Sequence, residues 1–550
     1  MIDIEVPVLI VGGGPAGLST SIVLSRMGVE SLLVERHPGT LYHPKAIGVM
    51  QRTAELLRLW GVEQEMREKG VPEEWCTQMV WMTTLTGEEL GRTATTEPDN
   101  FAPEPKSPTR AMRCPQHITE PILRECASGY DGAQVLYNTR MEEFGQDDSG
   151  VTVTVLDRET GERRRVRASY MVAADGAASG VREACGIAET GDSDMGHFIN
   201  IFHRAQLARY VQDRPAWSYS IVTPDLTGAF VTLNGEDLWI FHLNLGPDET
   251  PGDYPDERCV EIIRHAAGIP DLDVEIISVK PWVMGAQMAE RFRDGRVLLT
   301  GDAAHRTTPD GGVGMNTGIQ SAHNLAWKVG AVVSGWAGDD LLDTYEVERR
   351  PVAQMNVDYS AGRAGKLFSM IKAARVGDLD GVRRGIQSRG AATSRQGQDL
   401  GYTYDSAAVV PDGTLLPQVE DPMRDYVQSA RPGGRAPHLW VVDRNGARIS
   451  TLDLFGFGLV LFAGIEGRAW LTAADEVARS RRMIPLRAFT IGPGGELGTS
   501  DGKWEALYGV ERDGAVLVRP DGFVGWRSQR SGAMLRGELD QAVAIVTGRK

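Results

Sequence analysis

Gly12-Gly13-Gly14-Pro15-Ala16-Gly17 stands between an apolar run, Val6 to Val11, and a helical pattern that reaches Arg26, with Gly28 placed as its C-terminal stop. A short apolar run, a glycine turn and a helix read as a buried strand entering a βα unit. Gly12, Gly14 and Gly17 fall at the spacing of a dinucleotide fingerprint. The first glycine allows the tight turn and the second lets the backbone approach a pyrophosphate. The third lets helix and strand pack closely, which leaves the helix N-terminus aimed at the phosphates. A second strand, Ser31 to Val34, ends at Glu35. That acid lies about twenty residues beyond the glycines, where a carboxylate accepts hydrogen bonds from an adenosine ribose. A Rossmann-like α/β unit follows, but it suits NAD as well as FAD.

Two later stretches decide between them. Tyr170 to Ala174 is an apolar strand that delivers Asp175-Gly176 and then Ser179 and Arg182. Gly301-Asp302-Ala303-Ala304-His305 is followed by Pro309 and by Gly311-Gly312-Val313-Gly314-Met315-Asn316-Thr317-Gly318, which leads into an apolar helix. In this order the three motifs resemble those of the class A flavoprotein monooxygenases and span the first two-thirds of the chain. The resemblance implies FAD contacts at Gly12, Gly14, Ala16, Gly17, Glu35 and Arg36, and at Asp175, Gly176 and Arg182. It further implies that Asp302, beside Gly301, binds the ribityl chain, and that Gly312, Gly314, Met315 and Asn316 meet the flavin. Gln116 matches a family glutamine near the flavin, and Arg124 sits where a family arginine contacts FAD. One departure is His43-Pro44-Lys45-Ala46, where the family usually has arginine after His-Pro. Lys45 keeps the charge for a phosphate but loses the bidentate fork. Leu341 to Pro351 resembles the family's helix entrance after the third motif, and also reads as a salt-bridged solvent helix.

Composition agrees with a large enzyme. The 550 residues suffice for two or three domains, 42% of them are hydrophobic, and no apolar run approaches the ~18 residues that span a membrane. With no signal-peptide pattern at the N-terminus, a cytoplasmic protein is expected. A net charge of -16 speaks against nucleic acid as partner. The basic run Arg163-Arg164-Arg165-Val166-Arg167 reads as half of a hairpin with Val151 to Leu156. The five cysteines, Cys76, Cys114, Cys126, Cys185 and Cys259, lack metal-ligand spacing, so no metal site is expected and the thiols are read as reduced.

The domains are expected to interleave. Residues 1-75, 110-185 and 280-400 are assigned to the FAD-binding domain with its following helices, and 76-109 and 186-279 to a substrate-binding β-sheet domain. Phe198 to His203, Trp217 to Val222 and Leu238 to Asn244 alternate with period two, as strands with one buried face do. Tyr219, Trp239, His242 and Asn244 are the candidates to face substrate there, although an aromatic strand face is more often core. A helical stretch is expected from an Arg350-Pro351 turn to about Ser394, then a segment rich in Asp, Pro and Gly. Residues 401-550 are assigned to a linker and a C-terminal domain that resembles the thioredoxin-like domain of the phenol hydroxylase branch. That domain has no cysteine, which excludes thioredoxin-type redox chemistry and leaves a structural or dimerisation role.

The resemblance also implies a reaction. A pyridine nucleotide, NADPH or NADH, would reduce FAD, O2 would add at the flavin C4a carbon, and the hydroperoxide would pass its terminal oxygen to an electron-rich ring. Pro309, Gly314, Met315 and Asn316 are the implied catalytic positions, since a glycine-rich helix start offers backbone N-H groups to the reduced flavin. His242, His305 and Asp310 are candidates for the base that deprotonates a phenol. Phe202 to Val211, Arg214-Pro215 and Leu400 to Ser406 resemble 2,4-dichlorophenol 6-monooxygenase-like enzymes. That branch implies hydroxylation of a substituted phenol or phenol-like heteroaromatic, ortho to its hydroxyl, in catabolism or natural-product tailoring. A homo-oligomer is a family expectation alone. One alternative is a polyketide-quinone oxygenase or Baeyer-Villiger monooxygenase on the same scaffold. Another is a flavin-binding regulatory protein without catalysis, against which the intact Asp302, Gly311, Gly312, Gly314 and Asn316 speak.

Overall fold

The computed structural model describes residues 2–95, 104–246, 249–388, 394–481, 484–500 and 502–549. Its first sheet has the order Arg293–Asp294, Val297–Leu299, Arg163–Ala173, Ile4–Val11, Ser31–Val34, Ala133–Leu136. From Val297–Leu299 to Ala133–Leu136 every neighbour is parallel. Ile4–Val11 is central, so its last four residues are buried on both faces, as the continuous apolar run requires. Helix Pro15–Arg26 packs on this sheet beside helix Gly314–Val333. Gly28 follows the first helix with φ 74°, the left-handed turn that a stop of this kind needs. Gly150–Asp157 pairs with Arg163–Ala173 from Arg163 opposite Leu156, which makes the basic run an edge of the hairpin.

The second sheet has eight strands, in the order His305–Arg306, Glu275–Ala289, Glu189–Arg204, Leu238–Asn244, Thr227–Thr232, Ser218–Val222, Gln78–Met82, Glu89–Ala94. One face carries a core of its own beneath helix Asp256–Ala267, which contributes Cys259, Ile263, Ala266 and Ala267. The other face looks toward the first sheet. The domain boundary expected at 280 falls inside Glu275–Ala289, because this strand stays paired with Glu189–Arg204 through Ala289. Residues 96–103 of the expected substrate segment lie outside the described residues.

The expected turn at Arg350-Pro351 is absent. Asp340–Arg375 is one helix of 36 residues with Pro351 inside it. Interior proline costs about 3 kcal/mol, and here Glu348, Arg349, Val352 and Ala353 are all buried around it, so packing on both sides outweighs the break. Helix Leu379–Ser388 follows, and 389–393 of the expected helical stretch lie outside the described residues.

The C-terminal region has the order Leu459–Gly464, Ala469–Ser480, Leu486–Ile491, Lys503–Tyr508, Ala515–Val518, Val524–Ser528, Leu535–Val546, a βαβαββα chain. Its sheet pairs the first two strands in parallel and the last two antiparallel, the thioredoxin-like arrangement. A buried ionic cluster ties it to the rest of the molecule. Glu348 accepts from Arg519 at 2.6 and 2.7 Å and from Lys328 at 2.7 Å, with all three side chains fully buried.

Candidate active site

The two large sheets enclose a cavity of about 1840 Å3. Its nucleotide end is built from the first βα turn. Gly12 has φ 110°, and a Cβ there would lie 2.3 Å from the Ala174 carbonyl oxygen, so only glycine fits against the neighbouring strand. A Cβ at Gly17 would lie 1.9 Å from the Gly12 carbonyl oxygen, the close helix–strand packing expected of the third glycine. Gly14 differs, since a Cβ there would meet no protein atom within 4 Å and would project into the cavity. Glu35 accepts the Gly13 and His37 N–H groups at 2.7 and 2.8 Å, which fixes its carboxylate at the cavity edge beside Arg36. Gly13 was not singled out from the sequence, although its Cβ would lie 2.8 Å from the Glu35 Cβ.

Asp175 caps the next turn. It accepts from the Ser179 hydroxyl at 2.5 Å and the Val181 N–H at 3.2 Å, and Gly176 beside it has φ 86°. Arg182 does not reach the cavity. Its guanidinium pairs with Glu189 at 3.1 Å and donates to the Ala177 carbonyl at 3.3 Å, so it braces the loop from behind. Arg124 is likewise displaced. Gln116 and Glu120 of the same helix line the cavity, but Arg124 lies about 12 Å further along the axis, exposed over the Tyr137 ring at 4.8 Å. Gln116 accepts the Ala46 N–H at 3.3 Å and so holds the loop that carries Lys45, an exposed side chain on the cavity wall.

Asp302 presents its carboxyl to the cavity while protein crowds its other sides. That burial pushes its pKa up, and Lys45 and Arg306 pull it back down. Gly301, Pro309, Gly311, Gly312, Gly314 and Met315 continue the wall into helix Gly314–Val333. Gly311 and Gly312 have φ 107° and 66°, and a Cβ at Gly314 would lie 2.8 Å from the Thr307 hydroxyl. Asn316, expected at the flavin, instead ties the wall together. Its amide donates to the Gly48 and Gly312 carbonyls at 2.9 and 2.7 Å and accepts the Met50 N–H at 2.8 Å, so it positions both loops and leaves no free polar atom for chemistry. His305 is no base. It is buried behind the wall, contacts the Ser321 hydroxyl at 3.2 Å, and burial drives its pKa down to about 3. Asp310 does line the cavity, paired with Arg363 at 2.9 Å.

The other end of the cavity, where substrate is expected, is the inner face of the second sheet. Strand register aligns Trp81, Ser220, Ala229, His242, Asn200 and Lys280 in one row, and all six line the cavity. The next row, Val80, Tyr219, Phe230, Phe241, Ile201 and Val279, points the other way into the second core. Tyr219 is therefore not a substrate contact, and its hydroxyl is used up by the Ala216 N–H and the Arg214 carbonyl. Trp239 lies in that core as well, donating to the Glu236 carbonyl at 3.1 Å. Asn244 stays at the cavity, where its oxygen accepts from Arg375 at 2.9 Å.

His242 has a defined tautomer. Trp282 Nε1–H can only donate, so the Asn200 atom it meets at 2.7 Å is the amide oxygen. That oxygen also lies 2.6 Å from His242 Nδ1, which makes Nδ1 the protonated nitrogen and leaves Nε2 with a lone pair toward the cavity. Burial lowers the His242 pKa to about 4, which keeps the ring neutral near pH 7. Neither Asn200 nor Trp282 was named from the sequence. Their partnership is a matter of register across strands far apart in the chain.

The donor set fits a flavin dinucleotide. Single ligand pockets run to roughly 300–1,000 Å3, so this cavity has room for a dinucleotide and an aromatic substrate together. Among the described residues no three His, Cys, Asp or Glu side chains gather as metal ligands, and no helix is long and apolar enough to cross a membrane. Comparison with known proteins agrees with the geometry. Residues 5–360 match the family model described as an FAD binding domain, and residues 429–549 match the aromatic-ring hydroxylase C-terminal model. Tetracenomycin A2 monooxygenase-dioxygenase of Streptomyces glaucescens is 40% identical over 99% of this chain and 97% of its own. The 2,4-dichlorophenol 6-monooxygenase of Delftia acidovorans is 35% identical over 98% of this chain and 99% of its own. The solved structure of the flavin-dependent monooxygenase PieE with FAD and substrate matches with a TM-score of 0.92 at 33% identity, over 100% of both chains. The chain thus belongs to the FAD-dependent aromatic-ring hydroxylases.

Proposed function

We propose that this protein consumes NAD(P)H and O2 to place one oxygen atom on a phenolic ring, ortho to its hydroxyl, with His242 accepting a hydrogen bond from that hydroxyl. The balance is one nicotinamide oxidised, one oxygen atom delivered to the ring as a new hydroxyl, and the other released as water. The observation that carries this reading is the fixed lone pair of His242 Nε2 on the cavity wall, held through Asn200 and Trp282. A phenol that donates to this nitrogen becomes a stronger electron source for the ring carbon beside it.

Gly12 to Ala16 would hold the pyrophosphate, Glu35 the ribose, and Asp302 the ribityl chain, with the backbone of Gly311 to Met315 along the flavin ring. When bound, FAD supplies the electron transfer and oxygen activation that no side chain supplies. The protein's own part is to orient the ring, exclude water and hold the substrate hydroxyl on the His242 lone pair. The relative named for 2,4-dichlorophenol supports a phenol, and the cavity volume leaves room for a fused-ring one.

The test is turnover of the FAD-loaded protein with a panel of phenols, hydroxypyridines and polyketide phenols, scoring NAD(P)H oxidation, product mass and peroxide. A product heavier by one oxygen, with that atom from 18O2, is expected for a phenol. His242→Gln should lower its formation by about 100-fold and release peroxide instead. Oxygen insertion only into ketones or quinones would overturn the reading in favour of the Baeyer-Villiger or quinone alternative.

A further inference from the structure

Arg113 is a half-buried cation without a counter-charge. The short strand Met112–Arg113 pairs with Gly48–Val49 and so sets Arg113 in the cavity wall. Its guanidinium carbon lies 4.0 Å from the centre of the Trp217 ring, and its Nε is buried with no acceptor. No carboxylate or carbonyl among the described residues accepts from Nη1 or Nη2. Three other arginines of the same wall are engaged: Arg363 by Asp310, Arg110 by Glu73, and Arg395 by the Gly311 carbonyl. The neighbouring Cys76 thiol offers no charge, because burial pushes its pKa up to about 11. Burial and the like charge of Arg395 lower the Arg113 pKa only to about 10, so the cation persists at neutral pH. Folding therefore holds an unpaired positive charge, backed by an aromatic plate, on the wall of the ligand space.

We propose that Arg113 and Trp217 form a subsite for an anionic oxygen group, a carboxylate or an ionised enol, at the end of the aromatic substrate remote from the hydroxyl that His242 receives. Trp217 accepts the Thr232 N–H, and Thr232 lies three residues along its strand from Ala229, the partner of His242. At about 3.3 Å per residue the two recognition points are set roughly 10 Å apart along the sheet. A substrate that meets both is a fused-ring phenol with an acidic group at its far end. This rests on the proposed hydroxylase reading, whose phenol it specifies.

Binding separates the two. FAD-loaded protein without pyridine nucleotide would be titrated with 6-hydroxy-2-naphthoate and with 6-hydroxy-2-naphthamide, following tryptophan fluorescence. The acid should bind at least tenfold more tightly than the amide. Arg113→Met should erase that preference while leaving amide affinity and FAD retention unchanged, and Arg113→Lys should keep part of it. Equal affinity of wild-type protein for acid and amide, binding of neither, or survival of the preference in Arg113→Met would overturn the subsite. Loss of FAD from Arg113→Met with the preference intact would overturn it too, by giving the charge to the cofactor. Failure of the hydroxylase reading shows elsewhere, as absence of an oxygenated phenol on turnover.

Discussion

A methyl group added at Gly12 would press to 2.3 Å on the Ala174 carbonyl, whereas one at Gly14 would stand in open ligand space. The same fingerprint thus contains one glycine required by the fold and one that no protein neighbour requires. Gly12→Ala carries both the clash and a φ of 110°, a backbone strain of about 1–3 kcal/mol before any repacking. It should lower the Tm of the FAD-free protein. Gly14→Ala should leave that Tm in place and weaken FAD at least tenfold, read by flavin titration of stripped protein. A fall in apoprotein Tm for Gly14→Ala would show that this glycine also serves the fold. The tight turn at Gly12 was legible from spacing, because its reason is local to the turn. Arg113 was not legible as a site. Its isolation depends on which side chains residues 76 and 217 bring to it, and no sequence neighbourhood records an absent partner.

Strands expose the same limit at the scale of the element. Period two was evident in Leu238 to Asn244, and it requires Trp239 to face away from His242 and Asn244. The four substrate candidates could never have shared one face. Which face is core was hidden, since aromatic residues stand on both: Trp81, Phe198 and Trp282 at the cavity, Tyr219, Phe230 and Trp239 in the core. The Asn200–His242 pair needed the register of two strands about forty residues apart, which pattern alone does not give. The helix Asp340–Arg375 was misread for a related reason. Proline is a strong local signal, but Glu348 and Arg349 just before it are anchored by partners in other elements. Glu348 accepts from Asn324, Ser406 and the cations Arg519 and Lys328, and the two cations hold its carboxyl far below the usual range. Glu348→Gln would leave Lys328 buried without its anion and Arg519 with Asp521 alone, a loss of about 3–5 kcal/mol. Thermal unfolding should show it as a lower Tm, and limited proteolysis as earlier cleavage between 401 and 439. An unchanged Tm and cleavage pattern would mean that the cluster does not hold the C-terminal domain in place.

At the scale of the whole molecule, the histidines give the protein a directional response to acid. Burial lowers the pKa of His43, His203, His242 and His438 to about 4, and of His305 and His323 to about 3. In the unfolded chain each returns to about 6.5. Above that value neither state binds these protons and stability is intact. Between about 6.5 and 4 the unfolded state binds protons that the folded state refuses, so stability falls as pH falls, by about 1.4 kcal/mol per pH unit for each fully titrating histidine. Asp399 opposes them. Burial raises its pKa to about 6, so between about 6 and 4 it takes up a proton more readily folded than unfolded. Six histidines outweigh that one carboxyl, with the raised Asp302 and Asp175 adding to its side. Net charge argues the other way as well, since acidification of a chain at -16 relieves self-repulsion and by itself would stabilise the fold. The two accounts differ in sign, which makes the measurement decisive. Tm should stay flat from pH 8 to 7 and drop increasingly steeply from pH 6.5 to 5, with several protons taken up on unfolding at pH 5. His242→Gln should reduce that uptake by about one proton. A Tm that rises on acidification, or an uptake of fewer than two protons, would show that these rings are reached by water and protonate within the folded protein.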